Sequence, residues 1–371
     1  MSAIASVEAF AVRLPMRAAF ATSRGQVGSP ESGRVLVLVR LEDEDGRAGW
    51  GEAGPIARWS PETPGSVLDA VRRHLGPAVA GLDPADFGGM HAAMDGALAP
   101  GRGRGMPIAK AALDLAAHDL LGRRLGVPLW QLLGRRGLPA VRLSWTVLGD
   151  AAASVREGLA AGFRDFNVKV GAGAEPDAAL VRSVRALAGP SAFIWADANG
   201  AYRPHEARAA ARALAAAGAD VLEQPLAPGA LLPCRRLVRD GGLPVALDEA
   251  ITAPEELAEA ASLGALDLLV LKATRSGGLW PSRACAEVAL AHGLGLLSSG
   301  LTDGGLAFAA NVGLAAAFGV ARPCALNGPQ LLLDDVAAGL DRDGDTVRAP
   351  VRPGLGVEVD GERVARYRLP W

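Results

Sequence analysis

FNVKVG (166–171), IWADANG (194–200), VLEQPL (221–226), VALDEA (245–250) and LVLKATRSGG (269–278) each end a short apolar run in a charged residue. Those residues are Lys169, Asp197, Glu223, Asp248 (with its neighbour Glu249) and Lys272, at successive spacings of 28, 26, 25 and 24 residues. Ala-rich helical patterns, such as 204–217 and 254–263, lie between them. Strand–helix units of this length in series mark a parallel barrel with helices outside, whose chemistry sits at the C-terminal ends of the strands. With the strand at 163–170 as the second of eight, these are strands two to six. Lys169 and Lys272 then face each other across the mouth, and the three carboxylates occupy the arc between them. Three hard oxygen donors with no nearby Cys or His point to Mg²⁺, with Mn²⁺ as an alternative ion.

The whole chain agrees with an enzyme of that kind. Its 371 residues exceed a bare barrel of about 250, so a second domain is expected. A net charge of −2 gives no indication of nucleic acid or an anionic membrane as a partner. Three scattered cysteines, Cys234, Cys285 and Cys324, suit a reducing cytoplasm better than a disulfide framework. No apolar run reaches the ~18 residues of a membrane span. The N-terminal stretch lacks a secretory pattern and breaks at Pro15.

Residues 4–13, 34–41 and 47–53 read as a small antiparallel meander, with the turn EDEDG (42–46) before its third strand. The segment 18–33 reads as a lid over a site or as a plain connector. Residues 62–80, 84–98 and 106–125 carry helical periodicity. GRGRG (101–105) follows no strand and reads as a solvated linker, not an anion loop. The barrel is expected to begin at VRLSWTVLG (141–149), reach its seventh strand at LGLLSSG (294–300) and its eighth near CALNG (324–328). Three parts follow: an N-terminal α+β region, 1–125; a barrel, 126–330; and a segment, 331–371, that returns to the first. His74, His91, His118, His205 and His292 fall in helical stretches and read as helix residues rather than bases. No strand precedes a complete G-x-G-x-x-G, which excludes a Rossmann cofactor site.

Two lysines flanking a divalent cation suit one task, removal of a proton from carbon next to a carboxylate. The cation stabilises the enolate charge as it develops. A lysine must be neutral to act as base, so its pKa has to fall from about 10.4 towards about 7–8. Burial, the cation and the second lysine all act in that direction. A lysine on each face allows racemisation or epimerisation. One lysine alone allows cycloisomerisation or syn elimination. A single strand-end Lys or Asp is more often a surface charge or a helix cap; five in register are not.

The pattern resembles the enolase superfamily and its muconate lactonizing enzyme subgroup, within the mandelate racemase/muconate lactonizing enzyme family. The resemblance runs through GWGEA (49–53), AKAALDLAAHDLLGRRLGVPLWQLLG (109–134), VKVG (168–171), DANGAY (197–202), EQPL (223–226), DEA (248–250), LKATRSGG (271–278) and PGLGVEVD (353–360). It implies a modified TIM barrel, (β/α)₇β, under an α+β capping domain built from the N-terminal region and the C-terminal tail. It implies that Asp197, Glu223 and Asp248 bind Mg²⁺ and that Lys169 and Lys272 are the acid/base pair. Asn199 and Glu249 are then supports behind the ligands. Segment 18–33 becomes a specificity lid that brings Phe20 and Thr22 to the substrate. A homo-oligomer, dimer or octamer, is implied by resemblance alone.

Two departures stand out. The subgroup's K-x-K motif begins here with Asn167, which still faces the site because residues two apart share a side of a strand. With one cation fewer beside it, Lys169 is expected to be depressed less than in relatives with two lysines. At the eighth strand the D-x-D of dipeptide epimerases is matched by Ala325 and Asn327, which disfavours a free α-ammonium. Ser298, Ser299, Thr302, Asp303 and Asn327 are expected to line the far side of the pocket. These features predict a Mg²⁺-dependent isomerase, a cycloisomerase or racemase/epimerase, acting on a small carboxylate. A lyase of the o-succinylbenzoate synthase type is the alternative, and a non-catalytic relative a third reading.

Overall fold

The computed structural model describes residues 2–100 and 105–371; the GRGRG stretch, apart from Gly105, lies outside them. The N-terminal sheet is β1 (Ile4–Leu14), β4 (Arg34–Asp43) and β5 (Ala48–Ala53), antiparallel in the order β1-β4-β5. Phe10 pairs with Leu38, and Leu38 in turn with Glu52. Segment 18–33 is not a simple connector. It folds into a hairpin of β2 (Phe20–Thr22) and β3 (Gly25–Gly28).

The helix Pro107–Leu125 lies directly on β5. The glycines of GWGEA allow that contact. A Cβ on Gly51 would lie 1.9 Å from the Ala112 carbonyl oxygen, and one on Gly49 2.3 Å from that of Ala116. Every residue from Ile108 to Gly122 is buried, because the helix packs on the sheet and on the barrel at once.

The barrel is a seven-stranded parallel sheet in sequential order. Its strands are β7 (Trp145–Thr146), β8 (Phe166–Lys169), β9 (Ile194–Asp197), β10 (Val221–Glu223), β11 (Val245–Leu247), β12 (Leu268–Leu271) and β13 (Gly295–Ser298). A helix follows each strand, from Ala151–Ala160 to Gly305–Ala317. Residues 324–325 close the ring. Cys324 bridges to Leu143 and Ala325 to Ser299, both in parallel sense. The fold is thus a modified TIM barrel, seven β/α units and a short eighth strand, under an α+β cap. Alternation along the strands sorts the residues into two cores. Trp195, Val221, Ala246, Leu268, Val270, Leu297 and Ala325 fill the barrel interior. Their neighbours face the surrounding helices.

The last segment divides. Arg342–Asp343 and Thr346–Arg348 form a hairpin that pairs with β6 (Ala140–Arg142), just before the first barrel strand and on the side away from the mouth. The chain end reaches the cap, where Leu369 N donates to the Ala11 carbonyl at 2.9 Å. A buried network also ties cap to barrel. Asp114, on the long cap helix, contacts His91 Nε2 at 2.9 Å and His118 Nδ1 at 3.2 Å. It accepts from Leu279 N at 2.5 Å, at the start of the helix Leu279–Ala291. Gly278 has φ +120°, and a Cβ there would meet the Asp114 carboxylate. These histidines are helix residues, as expected, but two of them anchor an interface.

Candidate active site

The five strand-end charges converge. A cavity at the barrel mouth is lined by Lys169, Asp197, Glu223, Asp248 and Lys272, together with Phe20, Thr22, Asn167, Asn199, Ser299, Thr302 and Asn327. It encloses about 40 Å³, room for about three waters, and the hairpin β2–β3 covers it with Phe20, Thr22 and Val27.

Lys169 Nζ contacts Asp197 Oδ2, and Lys272 Nζ lies 2.7 Å from Asp248 Oδ2. The other Asp248 oxygen takes the Arg275 guanidinium. Of the three carboxylates, Glu223 alone has no ion-pair partner among the described residues. Burial, then the charges of Asp197 and Asp248, push its carboxyl well above the usual range. Burial also works on Asp248, but Lys272 and Arg275 outweigh it and hold that carboxyl low. Burial acts to lower Lys169, yet Asp197, Glu223 and Asp248 outweigh it and hold the ammonium above its ordinary value. That differs from the depressed base expected from the sequence, because here the carboxylates act on the lysine directly.

This donor set fits a divalent cation. Asp197 and Asp248 are close enough to raise the Glu223 carboxyl, and Glu223 lacks a compensating charge. Among the described residues no three acidic, imidazole or thiol groups are already gathered as a metal cluster, and the two lysine ammoniums lie against Asp197 and Asp248.

The surrounding residues fix these groups. Asn199, in the left-handed region at φ 45°, donates to Asp197 from its backbone at 2.9 Å and from Nδ2 at 3.1 Å. Gln224, also left-handed at φ 36°, bridges two strand ends. Its Oε1 accepts from Asp248 N at 3.0 Å and Ala250 N at 3.2 Å, and its Nε2 donates to Leu226 O at 2.7 Å. Such backbone strain persists only where the surroundings hold it. Glu249 is buried and pairs with Arg24, at the hairpin tip, at 2.8 Å. Burial, then Asp248 and Asp197, raise its carboxyl to about 8 against the pull of Arg24. Arg24 Nε also donates to Asn199 O at 2.9 Å, and Ser23 Oγ to Ala198 O at 3.1 Å.

The cap supplies aromatic faces to both lysines. Phe20 lies 6.0 Å from Lys169 Nζ and Trp59 4.7 Å from Lys272 Nζ. Asn167 faces the cavity, as its two-residue offset from Lys169 requires.

Two expected pocket residues are displaced. Ser298 does not line the cavity; on β13 it alternates with the inward Leu297 and Ser299 and so faces the helices. Asp303 turns away to accept from Asn311 Nδ2 at 3.0 Å, beside the buried Arg34. Arg34 in turn donates to the carbonyls of Gly54, Pro55, Leu301 and Thr302. It thereby pins the cap to the end of the seventh barrel strand.

Four contributors escaped the sequence reading: Arg275, Gln224, Arg24 and Trp59. Arg275 and Gln224 stood inside motifs already singled out, LKATRSGG and EQPL, and a charge or amide beside a strand-end ligand was the available signal. Arg24 and Trp59 sit in cap loops with no periodic signal.

Known proteins share this organisation. Residues 4–134 match the mandelate racemase/muconate lactonizing enzyme N-terminal domain, and residues 150–364 the enolase C-terminal domain-like family. An o-succinylbenzoate synthase from Geobacillus kaustophilus is 30% identical over 368 residues, 96% of this chain and 93% of that protein. The muconate lactonizing enzyme from Pseudomonas fluorescens, solved with muconolactone, superposes with a TM-score of 0.90 at 30% identity, covering 99% of this chain and 100% of that one. A dipeptide epimerase from Enterococcus faecalis, solved with Mg and the dipeptide L-Leu-L-Tyr, superposes with a TM-score of 0.88 at 25% identity, covering 96% of this chain and 100% of that one. With both domains matched and the barrel and cap in place, the chain belongs to the enolase superfamily, in the muconate lactonizing enzyme subgroup of the mandelate racemase/muconate lactonizing enzyme family.

Proposed function

We propose that this enzyme is a Mg²⁺-dependent isomerase, a cycloisomerase or a racemase/epimerase, that removes the proton α to the carboxylate of a small substrate. The observation that carries the reading is the position of Lys169 and Lys272, on opposite sides of the arc formed by Asp197, Glu223 and Asp248. Those three carboxylates are the residues to hold the ion, and the Mg in the related epimerase supports the choice. When bound, Mg²⁺ supplies positive charge beside the substrate carboxylate, where negative charge grows as the proton leaves.

The chain's own residues do the rest. One lysine, neutral, takes the α-proton on Nζ. The other, as ammonium, returns a proton from the opposite face or braces the charge. Lys169 is held protonated by the carboxylates around it. Once a cation engages those carboxylates, burial dominates and favours the neutral base. Arg275 keeps Asp248 turned towards the site, and Asn199 does the same for Asp197. The hairpin, anchored through Arg24, excludes water. A reducing cytoplasm suits the three cysteines, which are buried.

A lyase reading keeps the same residues. One lysine removes the proton, and water leaves from the neighbouring carbon. The likeness to the o-succinylbenzoate synthase over nearly the whole chain favours retaining it. Deuterium exchange at Cα in D₂O with Mg²⁺, followed by NMR over N-acyl amino acids, lactone-forming diacids and hydroxy acids, tests the proposal. Exchange or isomerisation of one class is expected. Loss of water as the only turnover selects the lyase, and no exchange in any class refutes proton abstraction.

A further inference from the structure

The loop behind Lys272 is tightly built. Residues 271–279 are all buried. The Lys272 carbonyl accepts from Arg275 N at 3.1 Å and Ser276 N at 3.2 Å, and Gly278 N donates to Ala273 O at 2.9 Å. Arg275 reaches back to Asp248 and, through Nη2, to Val270 O at 2.9 Å. Lys272 therefore sits where residues 273–278 hold it, and these run straight into the helix Leu279–Ala291.

That helix takes its cap from the other domain. A helix start leaves backbone N–H groups without intrahelical partners. Here Pro281 has no N–H, Ser282 N donates to Gly278 O at 3.2 Å, and the residue before the helix, Gly278, has no side chain to offer. The two donors left, Leu279 N and Trp280 N, both go to Asp114, at 2.5 and 3.4 Å. Asp114 lies on the cap helix Pro107–Leu125 and is 1% exposed. Burial acts to raise its carboxyl, but His118 and His91 outweigh it and hold the group well below the usual carboxylate range. A carboxylate at a helix N-terminus is favoured by the helix dipole as well.

We propose that Asp114 is a positioning residue for the reaction: from the cap it fixes the start of the helix Leu279–Ala291, and through residues 273–278 it sets Lys272 and Arg275 against Asp248. The inference rests on the proton-abstraction reading above and gives the cap a part in it beyond covering the site. Its consequence is one-sided, because the loop after Lys169 is held from within the barrel. There Gly171 N and Gly173 N donate to Asp177 at 3.0 and 2.9 Å.

The test measures Cα exchange in D₂O with Mg²⁺ for the wild type, Asp114→Ala and Asp114→Asn, sorted by whether Lys272→Ala or Lys169→Ala abolishes it. Asp114→Ala is expected to lower kcat of the Lys272-dependent exchange about ten- to a hundredfold, the cost of misplacing a reacting group by about 1 Å. KM is expected to stay within about twofold, and the Lys169-dependent exchange within about threefold. Asp114→Asn keeps an acceptor for Leu279 N and should show the same bias at smaller size; it carries the test where Asp114→Ala does not fold. Asp119→Asn is the control. Asp119 lies on the same helix but accepts from Trp50 N and Leu355 N, so its loss should cost stability without the bias. Amide hydrogen exchange should quicken over 272–282 in both Asp114 variants and stay unchanged over 166–173. Equal loss of the two Cα exchanges, unchanged protection over 272–282, or absence of any Lys272-dependent exchange overturns the proposal, while proton abstraction by Lys169 stands. No Cα exchange from the wild type with any carboxylate overturns proton abstraction itself, and this role with it.

Discussion

Arg24→Gln should loosen the hairpin over the site without disturbing the fold. Arg24 makes two contacts that cross from hairpin to barrel, a hydrogen bond from Nε to Asn199 O at 2.9 Å and a guanidinium contact with the Glu249 carboxyl at 2.8 Å. A hydrogen bond to a charged group contributes about 1.5–3 kcal/mol. The Arg24 side chain is 26% exposed, so solvent screening reduces the sum to about 1–2 kcal/mol. That corresponds to a shift of about five- to thirtyfold in the closed–open equilibrium of the hairpin. Amide hydrogen exchange of residues 18–33 should quicken by that factor, while the long cap helix keeps its protection. Substrate KM should rise by a similar factor. Glu249→Gln should mimic part of the effect, and the double variant should fall short of the sum, because the two groups share one interaction. Unchanged exchange in 18–33 would refute the latch. Exchange that quickens across the whole cap would show Arg24 to be a general stabiliser instead.

Further outcomes follow from the same geometry. Mg²⁺ should raise the Tm of the wild type, by an equivalent of about 2.7 kcal/mol at a hundred times its Kd, and Glu223→Gln should abolish most of that rise; an equal rise in the variant would remove Glu223 from the ligand set. Asn167→Lys adds a cation beside Lys169 and should lower the basic pKa seen in a pH–rate profile, whereas an unchanged or higher value would contradict the electrostatic role given to that position. Glu62 accepts from Ile108 N and Ala109 N at 2.8 Å each, at the start of the long cap helix, and burial raises its carboxyl from 4.5 to about 7. The folded state therefore holds that proton more tightly, and its contribution falls by about 3 kcal/mol as pH rises from about 4.5 to about 7. Denaturant titrations should show this slope in the wild type and a flatter one in Glu62→Gln.

The barrel was legible because a repeated strand–helix unit leaves a repeated mark, and because a charge at the end of a buried strand is costly unless a site uses it. Lys169, Asp197, Glu223, Asp248 and Lys272 meet in space for the same reason. The far side of the pocket was less legible. Ser298 and Asp303 stand beside residues that do line it, and a strand's two-residue alternation separates neighbours by a full face. Only the exact register, set by the Ser299–Ala325 bridge, decides which serine looks inward. The hairpin, Arg24 and Trp59 could not be read because their partners are distant in sequence. Arg24 meets Asn199 across 175 positions, and no local pattern encodes such a pairing. The buried Asp114 network was hidden in the same way, since His91 and His118 look like any helix residue until the barrel is packed against them.

The central claim is that Lys169 and Lys272 exchange protons from opposite faces of one substrate. Cα exchange in D₂O with Lys169→Ala and Lys272→Ala, on each enantiomer of a responsive carboxylate with Mg²⁺, tests it most directly. Both variants are expected to lose racemisation, and each to retain exchange with one enantiomer only, the two variants keeping opposite ones. Cycloisomerase or lyase chemistry would show instead as loss on removing one lysine and a smaller loss on removing the other. Full exchange of both enantiomers in both variants would contradict the claim.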